Sequence, residues 1–149
     1  MKSTDYNRIA WGVRGGTAVL PNFIEAHKQS KCPGSYRKGV VFNKSGEICR
    51  MFINFTTSKL DRHSENFDTI FYAGRGKKDK DKYFVEDTIN NTENFKMKQN
   101  TTPFPIYVKT KDGYFYLGRF VIRSARKKKQ YNPNLGREFE TLGFVCRKI

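Results

Sequence analysis

Cysteine, long apolar runs and acidic charge are all scarce in this chain, and each shortage excludes something. The cysteines are Cys32, Cys49 and Cys146, an odd set with no close pair, which rules out the cysteine-dense framework of a small secreted scaffold. The opening stretch MKSTDYNRIAWG lacks the apolar core of a signal peptide, so the expectation is an intracellular, cytoplasmic protein with reduced thiols. A zinc site would need another good ligand near these cysteines, and only His27 and His63 are available, at spacings that do not suit one. No metal and no cofactor are expected. No apolar segment approaches the roughly 20 residues that span a bilayer, and no basic amphipathic helix stands out that could lie along one. No membrane partner is expected.

What the chain has instead is positive charge on a foldable background. Lysine and arginine number 29 against 14 acidic residues, a net charge of +15, while aromatic residues make up 15% of the sequence. That combination describes a domain with a core, not a disordered basic tail. At 149 residues the chain has the length of one ordinary domain, 1–149. A basic surface favours polyanions, and counterion release makes phosphate contacts strong and salt-dependent. Nucleic acid is therefore the leading partner.

The periodicity predicts mostly strands. Pro21 suits a first helical turn, and the following NFIEAHKQ carries helical spacing. From Gly39 the period changes: GVVFNKSGEICRMFINF holds two apolar runs around the polar turn Asn43 to Gly46, a hairpin signature. In its second run Cys49, Met51, Ile53 and Phe55 make an apolar face against a mixed one of Ile48, Arg50, Phe52 and Asn54. TTSKLDRHSEN reads as a loop and FDTIFYAG as a strand, and Asp87 or Asn90 are candidates to cap a short helix through Met97. IYVKT and YFYLGRFVIRSA flank the turn Lys111-Asp112-Gly113, RKKKQYNPNLGRE reads as a basic loop, and FETLGFVCRKI as the closing strand. The expected fold is α+β and mainly β: a curled sheet or open β-barrel with one or two short helices packed outside.

Several stretches carry chemistry, each with a plainer reading beside it. In IFYAGRGKKDKDK a strand runs into Gly74 and Gly76 with Arg75, Lys77 and Lys78 around them. The turn lacks the pattern GxxxxGK[ST], so a nucleotide-binding P-loop is not expected; either the glycines simply take positive φ, or the turn touches a nucleic-acid backbone. Asp61, His63, Glu65 and Asp68 cluster just before Tyr72. They read as a solvated loop, as acid-base residues of a small nucleic-acid-processing enzyme, or as part of a base pocket, in which a carboxylate accepts a cytosine amine beside a stacked ring. Arg123, Arg126, Lys127, Lys128 and Lys129 form either a solvated loop or a phosphate-contacting edge. Tyr107, Tyr114, Phe115, Tyr116 and Phe120 could stack on single strands, although strand alternation sends about half of them to the core, Phe115 first.

These pieces, in order, resemble the SRA (YDG) domain, a reader of modified cytosine found in chromatin proteins and in bacterial modification-dependent restriction endonucleases. FNKSGEICRMFINF, the charged loop and FDTIFYAGRG are similar to that family's strand, acidic pocket loop and tyrosine-glycine turn. NTENFKMKQN with PFPIYVKTKDGYFYLGRFVI is similar to its helix, strand and hairpin, and ETLGFVCRKI to its closing strand. The resemblance implies an SRA/PUA-like fold and a noncatalytic domain that flips modified cytosine out of duplex DNA into an aromatic and acidic pocket. By position Tyr72 matches the pocket tyrosine, Ala73 falls where a threonine often lies, and Asp61 is the nearest match to the reading aspartate, with Asp68 as fallback. It further implies the specificity module of a larger protein or complex in a restriction system. The nuclease would lie on another segment or subunit, and a bacterial module of this kind would be nucleoid-associated. A rival of the same class is a sequence-specific duplex binder on a pseudobarrel that flips no base.

Overall fold

The computed structural model of the protein describes residues 23–33, 39–55, 61–74, 92–110 and 113–149. In chain order the elements are α1 (Phe23–Ser30), β1 (Val40–Phe42), β2 (Ile48–Ile53), β3 (Arg62–His63), β4 (Thr69–Tyr72), α2 (Thr92–Gln99), β5 (Phe104–Thr110), β6 (Gly113–Asn132) and β7 (Arg137–Lys148). The strands form one seven-stranded sheet in the order β1-β2-β5-β6-β7-β4-β3, with β1 and β3 as edges. It is mixed, because β2 runs parallel to β5 while the other neighbours are antiparallel. The expected mainly-β architecture is the observed one, as an open sheet not closed into a barrel.

Pleating gives this sheet two apolar faces of unequal size. On the inner face Met51, Ile53, Ile70, Phe104, Ile106, Val108, Phe120, Phe144 and Cys146 are buried in one cluster, which Met97 of α2 joins. Across the sheet, Tyr107 and Tyr114 pack with Ala26 of α1 and with the partly buried Phe52 and Tyr116. One helix thus covers each face. The end of α2 is tied to β2 through buried Asn100, whose Oδ1 accepts the Ile48 N–H at 2.8 Å while its Nδ2 donates to the Thr102 carbonyl at 2.8 Å.

The β1–β2 hairpin closes as its sequence predicts. Asn43 Oδ1 accepts from the backbone N–H groups of Ser45 at 3.1 Å and Glu47 at 3.0 Å, and Gly46 takes φ 84°. A bulge at Val41/Phe42 shifts the register and brings Ile48 into the inner core.

Four expectations need correction. The basic stretch Arg126 to Asn132 is not a loop: it continues β6, each residue paired with one of Arg137 to Gly143. Cross-strand pairing overrides the poor strand propensity of lysine there, and the turn shrinks to 133–136, where the Asn132 carbonyl accepts from the Gly136 N–H at 2.9 Å. Arg62 and His63, expected in a loop, pair with Phe71 and Ile70 as an edge strand. The second helix runs to Gln99 instead of Met97; its proposed caps Asp87 and Asn90, like the turn residues Lys111 and Asp112, lie outside the described residues. Finally, Cys32 and Cys49 are joined in a disulfide although they lie 17 positions apart in sequence, because the end of α1 packs beside β2. The expectation of three reduced thiols fails for this pair.

Cys146 is free and fully buried. Burial first, and then the negative charge of Asp61, push its thiol up to about 12. The native protein should therefore leave a thiol reagent such as dithionitrobenzoate unreacted, release about one equivalent of thiol on denaturation alone, and show all three only after reduction. Rapid labelling of the native protein at neutral pH would contradict this burial.

Candidate nucleic-acid interface

The residues flanking β4 draw the acidic loop onto the end of the aromatic strand. Asp61 Oδ1 accepts the Ala73 N–H at 2.8 Å across 12 residues of sequence, which fixes the carboxylate just past Tyr72. Tyr72 is partly buried and packs against the inner core, opposite Phe144 of β7 in the pairing, while Ala73 is buried. Gly74 then takes φ 79° and sits so close to the Leu142 carbonyl oxygen that a Cβ would overlap it, with Asn94 Oδ1 of α2 at 3.1 Å from that Cβ position. Only glycine fits between these two neighbours.

Asp68, the fallback acid, is placed differently. It is exposed, its Oδ2 accepts from Asn66 Nδ2 at 2.8 Å, and its carbonyl accepts the Lys148 N–H at 2.8 Å. Its side chain closes the turn before β4. His63 is held within an aromatic stack, 3.9 Å from the Phe67 ring at 14° and edge-on to Phe55 at 4.7 Å. Its Nδ1 lies 2.8 Å from the Ser64 carbonyl, which makes that nitrogen the donor. Asp61 thus holds the Ala73 amide, His63 stacks on Phe67 and donates to the Ser64 carbonyl, and Asp68 accepts from Asn66. Among the described residues, no group of three or more histidine, cysteine, aspartate or glutamate side chains is placed to hold a metal ion. No helix among them is long and apolar enough to cross a membrane.

The cationic residues divide between described and undescribed segments. Arg75, Lys77 and Lys78 lie outside the described residues. Arg123, Arg126, Lys127, Lys128 and Lys129 are all exposed along β6. Since successive side chains on a strand alternate, Lys127 and Lys129, paired with Leu142 and Glu140, face the inner side, whereas Arg126 and Lys128, paired with Gly143 and Thr141, face the outer one. The run that looks continuous in sequence is two half-runs in space.

The proposed aromatic platform is not a surface. Tyr107, Tyr114, Phe115 and Phe120 are buried and Tyr116 is partly so, because α1 and the inner core cover both sides of β5 and β6. Phe115 is core, as alternation predicts. Beneath α1 the guanidinium of Arg50 lies 3.5 Å from the centroid of the Phe52 ring, and its Nη1 donates to the Gly39 carbonyl at 3.5 Å. Burial lowers Arg50 to about 10 and raises Tyr107 to about 12. A phenol whose folded pKa is raised contributes stability that is fully present below its unfolded value near 10 and is lost as pH rises through about 12. Because the lowered Arg50 acts in the opposite direction over the same range, the Tyr107 part is read from the difference: in denaturant unfolding between pH 9 and 11.5 the wild type should lose more stability with rising pH than Tyr107→Phe does.

Arg62, Phe71 and Thr141, which the sequence did not single out, meet on the outer face beside Lys128 and Gln130. Phe71 was legible in principle, since the residue beside an inward Tyr72 must face outward, but its partners come from other strands.

An open mixed sheet with a helix against each face defines the class, and it is an SRA-like fold. The SUVH5 SRA domain in complex with fully hydroxymethylated CG DNA superposes with TM-score 0.68 at 18% identity, over 92% of this chain and 91% of that one. The modification-dependent TagI restriction endonuclease matches with TM-score 0.66 at 17% identity, over 92% of this chain and 51% of that one, so the chain spans about half of that enzyme. KRYPTONITE, in complex with mCHG DNA, matches with TM-score 0.67 at 13% identity over 89% of this chain and 32% of that one. No protein-family model matches the sequence, and no curated protein does.

Proposed function

We propose that this domain binds duplex DNA carrying modified cytosine, flips the modified base and holds it at the C-terminal end of β4, with Tyr72 as an aromatic wall and Asp61 reading the base edge. The observation that carries this reading is the Asp61–Ala73 hydrogen bond, which brings a carboxylate beside Tyr72 in a fold shared with a domain complexed to hydroxymethylated DNA. A carboxylate offers several acceptor positions, so in this reading Asp61 both accepts the Ala73 N–H and accepts from the exocyclic amine of cytosine. Asp68, tied to Asn66, is the lesser candidate for that role. Extrusion of the base costs a few kcal/mol, which stacking and edge hydrogen bonds must offset.

Contacts to the DNA phosphates fall to the basic residues. Arg75, Lys77 and Lys78 follow Gly74 directly, and Arg123, Arg126 and Lys127 to Lys129 line β6. The domain is proposed to be noncatalytic, the specificity module of a modification-dependent restriction system whose nuclease lies on another segment or subunit.

The test is a titration on matched duplexes bearing unmodified, methylated or hydroxymethylated cytosine at two salt concentrations, with a fluorescent base analogue beside the target to report unstacking. Preference for one modification together with a fluorescence rise supports the reader, whereas uniform, steeply salt-dependent binding would leave only a basic domain. Replacing Lys127, Lys128 and Lys129 by glutamine should weaken binding to all sequences and lower the salt slope by about 1 for each phosphate no longer neutralised. An unchanged salt slope would remove this strand from the interface.

A further inference from the structure

On β4 adjacent aromatic residues serve opposite faces. Tyr72 packs against the inner core, and Phe71 turns outward. The Phe71 ring lies over Gly143 of β7, where a Cβ would come within 2.8 Å of its Cζ, and the Lys128 ammonium stands 4.8 Å from its centroid. Arg62, Ala73, Gln130 and Thr141 complete the walls of a cavity of about 50 Å³. Two of its walls are cationic and none is acidic. Thr141 is buried, and its hydroxyl accepts from Gln130 Nε2 at 3.3 Å and donates to the Lys128 carbonyl at 3.3 Å, which holds the Gln130 amide at the rim.

Size and charge together select the ligand. The volume is that of one or two water molecules, too small for a base but enough for oxygens of an anion whose remainder stays in solvent. An arginine fork suits paired oxygens and a lysine supplies a point charge. The ring beneath Lys128 restricts where its ammonium can go, through cation–π attraction, and so lowers the ordering cost of binding.

We infer that this outer-face notch binds a phosphate-class oxyanion, with Arg62 and Lys128 as charged donors and the Gln130 amide as a neutral one. The ligand is either a phosphodiester of DNA on the face opposite Tyr72 or free phosphate. The phosphodiester form rests on the nucleic-acid reading above, while the oxyanion site itself does not.

The experiment follows the Thr141 and Gly143 amide resonances of the whole chain during titration with inorganic phosphate, and then duplex affinity against salt, for the wild type and R62Q/K128Q. Both residues are exposed, so the variant should keep its fold. Saturable phosphate-dependent shifts are expected in the wild type and not in the variant, and K127Q/K129Q, which removes equal charge from the inner side, should keep them. If the ligand is backbone phosphate, R62Q/K128Q also lowers the salt slope by about 2, equally on modified and unmodified duplexes. Shifts without a slope change would support the notch as a free-phosphate site. Absent shifts overturn it, even with a lower slope, which would then reflect diffuse charge. A wild type without preference for modified DNA would sink the base pocket and leave the notch to be judged on these shifts.

Discussion

Replacing Tyr72 by alanine is expected to cut affinity for a duplex bearing the preferred modified cytosine by roughly 5- to 150-fold, the equivalent of about 1–3 kcal/mol for one stacked base, while leaving affinity for the unmodified duplex almost unchanged. The asymmetry is the informative part. A stacking wall is used only when a base occupies the pocket, whereas phosphate contacts are made on any sequence. Because Tyr72 also packs against the inner core, the alanine variant should unfold at a lower temperature, and binding must be measured well below that. Tyr72→Phe keeps the ring and should keep the selectivity. Equal losses on both duplexes would mean that Tyr72 supports the sheet and reads nothing.

Gly74→Ala, a change of one methyl group, should destabilise the fold by roughly 3 kcal/mol. Left-handed backbone costs an alanine about 1–2 kcal/mol, and overpacking adds about 1–3 more, because the new Cβ would meet the Leu142 carbonyl, a backbone atom that cannot rotate away. Gly46 supplies the control: its φ of 84° is as positive, but nothing lies within 4 Å of its Cβ position. Gly46→Ala should therefore lose only the conformational part. Denaturant unfolding of the two variants side by side measures the difference, and equal losses would refute the close approach of β7 and α2 to the end of β4. Since Gly74 follows the proposed pocket directly, its substitution should also weaken selectivity by moving Ala73 off Asp61.

The disagreements between sequence and structure share a physical origin. The basic run of β6 was misread as a loop because lysine-rich, poorly strand-forming sequence looks like one locally, and only the stretch Arg137 to Gly143 of β7 running alongside makes it a strand. Arg50 fell on the mixed face of its hairpin as alternation requires, yet it is buried, because α1 closes over Phe52 and the tyrosines beside it. The tyrosines of β5 and β6 offered the same pattern to a stacking surface or a core, and the covering helix decided between them.

Composition and local period were enough to establish a mostly β, strongly basic domain, its first hairpin and the strand ending in Tyr72. They suffice because pleat, turn chemistry and net charge are properties of neighbours in the chain. Tertiary structure alone decided the parallel pairing of β2 with β5, the Cys32–Cys49 bond, the placing of Asp61 on the Ala73 amide and the division of the lysines between two faces. Each of these joins residues distant in sequence, and the free energy that selects them comes from packing the whole sheet, which no short stretch of the chain contains.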